Sequence, residues 1–461
     1  MYQKHRHIHF VGIGGIGMSG IAELLVNLGH QVSGSDLKAS EATRRLAGMG
    51  ATVHEGHRGG QVAGADVVVI SSAVKEDNPE VVAAREALIP VIPRAEMLAE
   101  LMRLKYGLAV AGAHGKTSTT SMLAHLLAAG GLDPTVVVGG RLGALGSNAW
   151  LGKGDFLVAE ADESDGSFNI LSPVVVVVTN VDREHMDFYG SDEALDEAFV
   201  RFMNKVPFYG AAVVCLDDAR LTGLIPRLRK RAITYGITAQ ADYQAREISH
   251  QGLESSFDFY LRGELKGRVR LPLPGRHYVQ NALGAIAAAV EVGVDLQTAL
   301  DACAGFGGVK RRFEAKGRAA SGARVMDDYA HHPTEIKATL EAARAAFPQN
   351  RLVVAFQPHR HTRTKDLFED FTTAFYGADE LLVLDIYAAG EQPDPQVTAE
   401  RLAEAIRAHG HRRVEYLGSA AAVKERLAGM LSPDDVLFTM GAGDVWRLGE
   451  ALVTREPEGE R

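Results

Sequence analysis

The chain has 461 residues, 46% of them hydrophobic and 49 of them glycine, and this length predicts about three domains that each bury a core of their own. Its formal net charge of −9 argues against nucleic acid or a membrane surface as a partner, because both attract basic proteins. The N-terminal segment "MYQKHRHIHF" lacks the apolar stretch of a secretory signal, and the apolar run "PVVVVVTNV" at 173–181 is too short to span a bilayer, so we expect a cytoplasmic protein without membrane insertion.

Strand-like runs alternate with helix-length segments along the whole chain, which is typical of βαβ units and parallel sheets. In the first part, four strands are predicted before residue 75, in "HIHFVGIGG", "HQVSGSD", "ATVHEGH" and "DVVVISSA". The segment "IPVIPRAEMLAELMR" carries two prolines, leads into a helix and marks the exit from this part. We therefore predict an α/β domain over residues 1–103.

A second α/β part begins with "YGLAVAGAHGKT" and continues through strands in "DFLVAEADESD" and "PVVVVVTNVDREHMD". Residues 242–272 alternate like antiparallel strands, and a helix is predicted from "PGRHYVQ" onward. The glycine-rich, basic segment "GFGGVKRRFEAKGR" is interpreted as a hinge, after which strands are predicted in "ARVMDDYA", "RLVVAFQP", "ELLVLDIY" and "DVLFTMGAG". These features predict a central domain over 104–311 and a C-terminal α/β domain over 312–461.

The glycines of "GIGGIG" at 12–17 follow a predicted strand and precede a predicted helix, which is the context of a dinucleotide fingerprint. Asp36 falls at the end of the second strand, where nicotinamide enzymes place a ribose-binding carboxylate. Such a turn cradles a pyrophosphate at a helix N-terminus, so it does not distinguish a nicotinamide dinucleotide from a nucleotide-linked sugar. A purely structural turn is the alternative interpretation.

A second phosphate-binding loop is predicted in "AGAHGKTSTT" at 111–120. Backbone amides and the Lys116 ammonium suit triphosphate oxygens, and the Thr117 hydroxyl can bind Mg²⁺. The general pattern has a glycine six residues before the lysine, and that position is Val110 here, so a chance match is the alternative. We expect Lys116 to face solvent when the loop is empty.

Acidic and imidazole groups follow the next two predicted strands. Glu160 ends the strand in "VAEADESD", and His185 lies just beyond the strand in "TNVDREHMD". Triphosphate chemistry needs metal ions, and both residue types can ligate a metal. Whether the neighbouring Asp162, Glu163 and Asp165 are ligands or solvated loop charges stays open at this point.

Histidine, arginine and tyrosine concentrate after strands in the third part, in "DDYAHHPTE" at 327–335 and "FQPHRHTRT" at 356–364. Helix caps and surface loops account for about half of such residues. Arg360 and Arg363 differ, because arginines at this spacing after a strand suit bidentate recognition of a carboxylate or phosphate.

Taken together, these motifs resemble the Mur ligases, ATP-dependent amide-forming enzymes of peptidoglycan synthesis. The resemblance runs almost the whole length, through "GIGGIGMSGIAE", "GSD", "SSAV", "GAHGKTSTT", "EADESDGSF", "TNVDREHMD", "PGRHYVQNALGAIA", "RRFE", "DDYAHHPTE", "FQPHRHTRT", "DIYAAGE" and "GAGD". The loop of that family reads G-[TA]-x-G-K-[ST], with its first glycine at Gly112, so the missing glycine at Val110 is typical of it. Within the family, "ESDGSF" and "FQPHRHTRT" fit the alanine-adding member better than the relative that recycles a murein tripeptide.

The resemblance implies three α/β domains: a Rossmann-like N-terminal domain for UDP-N-acetylmuramate, a central P-loop-type ATPase domain for ATP and Mg²⁺, and a Rossmann-like C-terminal domain that brings L-alanine. The catalytic residues it implies are Lys116, His185, Arg360 and Arg363, and the metal ligands are Thr117, Glu160 and His185. The ATP site it implies comprises Gly112, Gly115, Lys116, Thr117, Ser118, His277, Asn281 and Arg312. The substrate site comprises Gly14, Gly15, Ile16, Asp36, Ser71, Ser72, Tyr329, His331, Arg360 and Arg363.

One departure from the family concerns the residue after the histidine of "PGRH", which is often asparagine there and is Tyr278 here. This leaves Asn281 as the adenine contact and His277 as a supporting group. The resemblance also implies the chemistry: the lactyl carboxylate attacks the γ-phosphorus of ATP, and the amine of L-alanine then displaces phosphate from the acyl phosphate.

Two other functions compete with the ligase interpretation. An NAD-dependent sugar-nucleotide dehydrogenase would use "GIGGIG" but leave Gly115-Lys116-Thr117 without a role. A non-catalytic nucleotide sensor would keep both loops and discard metal ligands, yet Glu160 and His185 are present. A monomer or a homodimer is expected.

Overall fold

A computed structural model describes residues 5–71, 73–138, 149–238 and 240–454. The chain divides into two compact units. The first comprises Met1–Arg246, Phe257–Val269 and Gln280–Gly307, and the second comprises Glu247–Ser256, Arg270–Val279 and Gly308–Arg461. Across the described ranges, none of the helices has the length and apolar character needed to cross a membrane.

The N-terminal part of the first unit is built on a five-stranded sheet in the order β3-β2-β1-β4-β5, and all four strand pairs are parallel. This confirms the Rossmann-like expectation: the loop after β1 lies where the strand order reverses, which is where such sheets bind ligands. The four predicted strands are present, while β5 was not predicted. The elements are β1 (His7–Val11), α1 (Ile16–Asn27), β2 (Gln31–Asp36), α2 (Glu41–Gly48), β3 (Thr52–Glu55), β4 (Val67–Ile70), α3 (Pro79–Glu86), β5 (Val91–Pro93) and α4 (Arg94–Met102).

The central part carries a ten-stranded sheet in the order β15-β14-β13-β12-β11-β10-β6-β9-β7-β8. Its middle strands pair in parallel, and the run at 175–178 is fully buried because both faces of a parallel sheet are covered. The elements are β6 (Tyr106–Ala111), α5 (Lys116–Ala129), β7 (Thr135–Val137), β8 (Ala149–Trp150), β9 (Phe156–Glu160), β10 (Val175–Val178), α6 (Met186–Tyr189), α7 (Asp192–Met203), β11 (Ala211–Cys215), α8 (Ala219–Leu224), β12 (Ala232–Gly236), β13 (Tyr243–Gln251), β14 (Glu254–Leu261), β15 (Glu264–Leu271), α9 (Arg276–Glu291) and α10 (Leu296–Ala302).

Strands β13, β14 and β15 fall in the segment expected to form antiparallel strands. Two-residue turns join them, and a turn this short can connect only antiparallel neighbours. The second turn, Arg262-Gly263, has positive φ angles of 48° and 83°, as a hairpin turn of the primed type requires. The prediction for this segment is therefore confirmed.

The C-terminal part forms a six-stranded sheet in the order β16-β17-β21-β18-β19-β20, parallel except for the β16–β17 pair. The four predicted strands are present, whereas β16 and β20 were not predicted. The elements are β16 (Glu314–Arg318), β17 (Arg324–Asp328), α11 (Pro333–Ala346), β18 (Arg351–Phe356), α12 (His361–Asp366), α13 (Phe368–Thr372), β19 (Glu380–Leu384), α14 (Ala399–Ala408), β20 (Val414–Gly418), α15 (Ala420–Met430), β21 (Asp435–Met440) and α16 (Trp446–Leu452).

A buried polar network ties α3 to the first sheet. The Glu80 carboxylate is fully buried; its Oε1 lies 3.1 Å from His9 Nε2, and its Oε2 accepts from Ser35 Oγ at 2.5 Å and lies 2.8 Å from His57 Nδ1. Burial raises the pKa of Glu80, but the hydrogen bonds from His9, Ser35 and His57 outweigh burial and hold the pKa below its ordinary value. The ionised carboxylate therefore stabilises this part of the fold.

We expect Glu80→Gln to lower the free energy of unfolding near neutral pH by about 2 kcal/mol, because the amide cannot accept the same charge-assisted hydrogen bonds. A lowered pKa gives stability that is present above the unfolded-state pKa and is lost as the pH falls, so the difference from wild type should shrink toward about pH 4. Urea unfolding at both pH values measures this. The exposed Glu86→Gln on the same helix is the control, and a Glu80→Gln variant as stable as this control would contradict the prediction.

Candidate functional site

The loop between β6 and α5 has the conformation expected of a phosphate cradle. Gly112 and Gly115 adopt positive φ angles of 131° and 81°. A Cβ would lie 2.2 Å from Thr179 Oγ1 at Gly112 and 2.7 Å from Asn281 Oδ1 at Gly115, so both positions require glycine. Val110, at the position of the first glycine in the general pattern, is a fully buried strand residue.

The tip of β10 fixes the shape of this loop. The Thr179 hydroxyl donates to the His114 carbonyl at 2.6 Å, and Asn180 Nδ2 donates to the same carbonyl at 3.0 Å. The His114 amide in turn donates to Asn180 Oδ1 at 2.8 Å. These roles were not predicted, although the two polar residues directly follow the most β-branched run of the chain.

The expectation that Lys116 faces solvent is wrong. Its Nζ donates to the carbonyls of Gly112 at 2.6 Å and Ala113 at 3.2 Å, and it pairs with Glu163 Oε1 at 2.8 Å. The side chains of Lys116 and Glu163 are only 15% and 3% exposed. The interpretation of Glu163 as a solvated loop charge is therefore also wrong, because this carboxylate is buried against the lysine.

The charges around Lys116 set the protonation of the pair. Burial lowers the pKa of Lys116, but the carboxylates of Glu163, Glu160 and Asp162 outweigh burial and raise it above its ordinary value. Burial raises the pKa of Glu163 to about 7, although the lysine favours its ionised form. Lys116 is thus held as a cation in a pocket of carboxylates.

The three predicted metal ligands fall into two groups. Thr117 Oγ1 donates to Glu160 Oε2 at 2.9 Å, so these two lie together as expected. His185 instead lies with Glu163 and Glu184, and the ligand atoms of these three residues are within 4.8 Å of one another. Glu184 was not predicted as a candidate ligand, and for Glu163 the sequence left the choice between a ligand and a solvated charge open. The only available signal for Glu184 was its place directly before His185.

A divalent cation fits this second group. Glu163 Oε2 is buried and, within the described ranges, has no hydrogen-bond partner, so it offers a free lone pair. The Glu184 carboxylate beside it adds a second oxygen ligand of the kind that hard cations prefer. A neutral imidazole is a less usual Mg²⁺ ligand, so His185 is the weaker member of the set.

The other residues predicted for ATP divide between the two units. Ser118 and Asn281 belong to the first unit with the loop, and both side chains are buried. His277 and Arg312 belong to the second unit, where burial and the Arg312 charge lower the pKa of His277 to about 4. Tyr278, the departure from the family pattern, is buried in that unit with its ring 4.2 Å from that of His277.

The loop after β1 is closed by Asp36, whose Oδ2 accepts the Gly14 amide at 2.9 Å. Gly12 has a φ of 82°, and its amide donates to the Ser35 carbonyl at 2.8 Å. Gly15 is the N-cap of α1, and a Cβ at Gly12 would lie 3.7 Å from Ser71 Oγ. The predicted residues of this loop are therefore together; Ser72 and the side chain of Ile16 lie outside the described residues.

The predicted residues of the second unit gather around a histidine that was not predicted, His359. The His331 ring lies 6.0 Å from it, Arg363 Nη1 lies 3.2 Å from its Nδ1, and the Tyr387 ring stacks on it at 5.7 Å. Burial first, and then the charges of His331, Arg363 and Arg360, lower the pKa of His359 to about 3. The cluster is thus cationic around a neutral imidazole, which suits an anion.

Arg360 itself has an unusual backbone. Its φ of 67° is rare for a residue with a side chain. Two hydrogen bonds stabilise this conformation: the Arg360 amide donates to the Tyr387 carbonyl at 2.8 Å, and the Arg360 carbonyl accepts from Thr364 Oγ1 at 2.7 Å. Strain of this kind concentrates at ligand sites. Tyr329 adjoins the cluster, with its ring centroid 5.2 Å from that of His331.

The Lys116–Glu163 pair generates a stability prediction. Lys116→Met should lower the free energy of unfolding by about 3 kcal/mol, because it leaves a buried carboxylate without its cation. The double variant Lys116→Met/Glu163→Gln removes both charges and should recover most of that loss in urea unfolding. Lys153→Met, at an exposed lysine, is the control. A single variant as stable as this control would show that the pair does not form in solution.

Comparison with known proteins shows the family of the chain. Three family models match in succession: "Mur ligase family, catalytic domain" at 7–106, "Mur ligase middle domain" at 110–289 and "Mur ligase, glutamate ligase domain" at 311–443. A UDP-N-acetylmuramate–L-alanine ligase of a Geobacter species is 58% identical over 455 residues, which is 99% of this chain and 98% of that protein. The enzyme of the same name from Geotalea daltonii is 56% identical, with 99% of each chain covered.

A solved structure agrees with this assignment. The UDP-N-acetylmuramate–alanine ligase of Thermotoga maritima superposes with a TM-score of 0.83 at 30% identity, covering 97% of this chain and 98% of that one. The resemblance seen in the motifs and the three-domain α/β architecture are thereby confirmed. The chain belongs to the Mur ligase family.

Proposed function

We propose that the chain is an ATP-dependent ligase that joins L-alanine to the lactyl carboxylate of UDP-N-acetylmuramate, a step in the synthesis of peptidoglycan precursors. The observation that carries this proposal is identity of 55–58% over 99% of the chain to proteins named UDP-N-acetylmuramate–L-alanine ligase. The complete loop at 112–117 supports it, because a dehydrogenase that uses only the first glycine loop would leave this second cradle without a role.

The reaction proceeds by phosphoryl transfer and then acyl transfer. The lactyl carboxylate oxygen attacks the γ-phosphorus of ATP, ADP leaves, and an acyl phosphate forms. The L-alanine amine then attacks the acyl carbon and loses a proton, the bond between the acyl carbon and the bridging oxygen breaks, and inorganic phosphate leaves with that oxygen. Little covalent chemistry falls to the protein, so positioning and charge neutralisation account for most of the catalysis.

The loop residues supply this positioning for ATP. The N-terminus of α5 offers backbone amides to the phosphates. Lys116 adds an ammonium group that stays protonated at neutral pH, because its pKa is raised. Mg²⁺, when bound, would neutralise phosphate oxygens; we assign the ion of the nucleotide to Thr117 and Glu160, and a second ion, nearer the lactyl carboxylate, to His185. Asn281, whose amide lies against Gly115, borders the same loop and is proposed to contact the adenine.

The other two substrates are assigned to the remaining clusters. The loop after β1, with Gly14, Gly15, Ile16, Asp36, Ser71 and Ser72, is proposed for UDP-N-acetylmuramate. The cluster of Tyr329, His331, Arg360 and Arg363 is proposed for carboxylate recognition, because a guanidinium group suits bidentate binding of a carboxylate. The cytoplasmic location and the monomeric or homodimeric state expected from the sequence remain predictions.

Phosphate release tests the proposal together with amino-acid choice. Release should require ATP, Mg²⁺, UDP-N-acetylmuramate and an amino acid together, and NAD should replace none of them. Glycine and L-serine should react with kcat/KM about ten- to a hundredfold below that of L-alanine, because burying one methyl or admitting one hydroxyl discriminates only weakly.

L-Leucine and L-glutamate should hardly react, since a closed pocket can exclude larger side chains strictly. Comparison of kcat/KM for the five amino acids decides between these outcomes. A preference for an acidic or bulky amino acid would place the chain at a different ligation step, and tight NAD binding without a response to the UDP-sugar would overturn the ligase assignment.

The metal assignment makes a separate prediction. Glu160→Ala and His185→Ala should each raise the Mg²⁺ concentration for half-maximal rate by about tenfold or more, because each removes a proposed ligand. Glu193→Ala, at an exposed carboxylate on α7, is the control. An unchanged Mg²⁺ requirement in both variants would remove these residues from the metal site.

A further inference from the structure

Each of the three N–H donors of the Lys116 ammonium has an acceptor of the chain within reach. A lysine ammonium carries three N–H donors. Three acceptors lie around it: the carbonyls of Gly112 at 2.6 Å and Ala113 at 3.2 Å, and Glu163 Oε1 at 2.8 Å. A phosphate oxygen can bind this group only by replacing one of the three. Because two of the acceptors belong to the loop backbone, the carboxylate is the one that can give way.

Glu163 is placed for this role by its own backbone. Its carbonyl accepts from the Tyr189 hydroxyl at 2.5 Å and from the Gly166 amide at 3.0 Å, which fixes the residue in its loop. Its side chain reaches Lys116 across 47 positions of sequence. Within the described ranges, Oε2 has no hydrogen-bond partner, so this buried carboxylate is compensated chiefly by the lysine.

The nearby carboxylates are engaged differently. Glu160 accepts from Thr117 Oγ1 at 2.9 Å, and Asp162 Oδ1 accepts the Ser164 amide at 3.0 Å. Among the described residues, the hydrogen-bond acceptors found for the lysine ammonium are the carbonyls of Gly112 and Ala113 and the Glu163 carboxylate. The restraint on Lys116 therefore comes from Glu163.

We infer that Glu163 is a positioning residue that holds Lys116 against the loop carbonyls in the empty site and competes with nucleotide phosphates for its ammonium. The inference rests on the proposed binding of ATP at this loop. Nucleotide binding then requires the carboxylate to release the lysine, and its negative charge opposes any phosphate that arrives without a cation. Glu163 thereby favours binding of the cation-loaded nucleotide over the free one.

Calorimetric titration with ADP in a chelating buffer, without any divalent cation, tests this. Glu163→Gln keeps the size of the side chain and an oxygen that can accept from Lys116, but it removes the charge. We expect this variant to bind ADP about tenfold more tightly than the wild type. Asp165→Asn removes one charge from an exposed position of the same loop and can still accept the Ser167 amide, so it is the matched control and should bind as the wild type does.

A tighter complex is a result that damage to the fold does not produce, so the readout separates positioning from a structural role. Thermal melting of each variant checks folding, and Glu163→Ala offers a second variant that should also bind metal-free ADP more tightly. Equal or weaker binding by folded Glu163→Gln would overturn the inference. The inference would also be overturned if Glu163→Gln bound ADP as the wild type does without Mg²⁺ and more weakly than the wild type with Mg²⁺. That result would make Glu163 a metal ligand and not a competitor for the lysine. If the wild type binds neither ADP nor ATP with Mg²⁺ present, the proposed function itself fails.

Discussion

Strands β6 and β10 run side by side in parallel and end at the same edge of the sheet, and the chain after β6 has four residues in which to turn beneath the tip of β10. A Cβ at Gly112 would lie 2.2 Å from the Thr179 hydroxyl, so only glycine permits this approach. The same approach lets Thr179 and Asn180 bind the His114 carbonyl. This close packing of two strand ends therefore positions the loop carbonyls that accept hydrogen bonds from Lys116. It also sets the direction in which α5 starts.

The positively charged side chains of the two candidate sites have opposite electrostatic surroundings. Lys116 lies among carboxylates, which keep it protonated and restrain its ammonium. In the second unit, Arg360 and Arg363 surround His359, and part of their effect, after that of burial, is to keep this imidazole neutral. In the first arrangement the ammonium is already paired with a carboxylate, which an arriving ligand must displace, whereas in the second the arginines at His359 are not paired with a carboxylate of the described residues. A triphosphate that brings its own cation suits the first, and a simple carboxylate suits the second.

The features that could be predicted from the sequence are those set by local chain geometry. Glycines between a strand and a helix mark both loops, and β-branched runs mark the buried parallel strands. Strands β5, β7, β8, β11, β12, β16 and β20 were not predicted: β5, β7 and β8 have only two or three residues, β16 is mostly polar or charged, and β11, β12 and β20 are runs of only five residues. The burial of Glu163 was not predicted, because an acidic residue in a loop is usually solvated and this one is buried against a lysine far away in sequence. His359 was quoted within its motif, yet its central place depends on the ring of Tyr387.

The two glycine loops of the first unit share one further property: in each, a carboxylate of the chain accepts a hydrogen bond from a donor of the loop. In the first loop, the Gly14 amide is bound by Asp36 Oδ2 at 2.9 Å, and in the second, the Lys116 ammonium is bound by Glu163 Oε1 at 2.8 Å. Donors that point into a cradle would otherwise be left unsatisfied, and each such group costs free energy when water is excluded. In each loop, a carboxylate of the chain therefore satisfies a donor that the proposed function assigns to a ligand. For Lys116, the inferred competition between Glu163 and nucleotide phosphates sets the stability of the loop against the affinity for nucleotide.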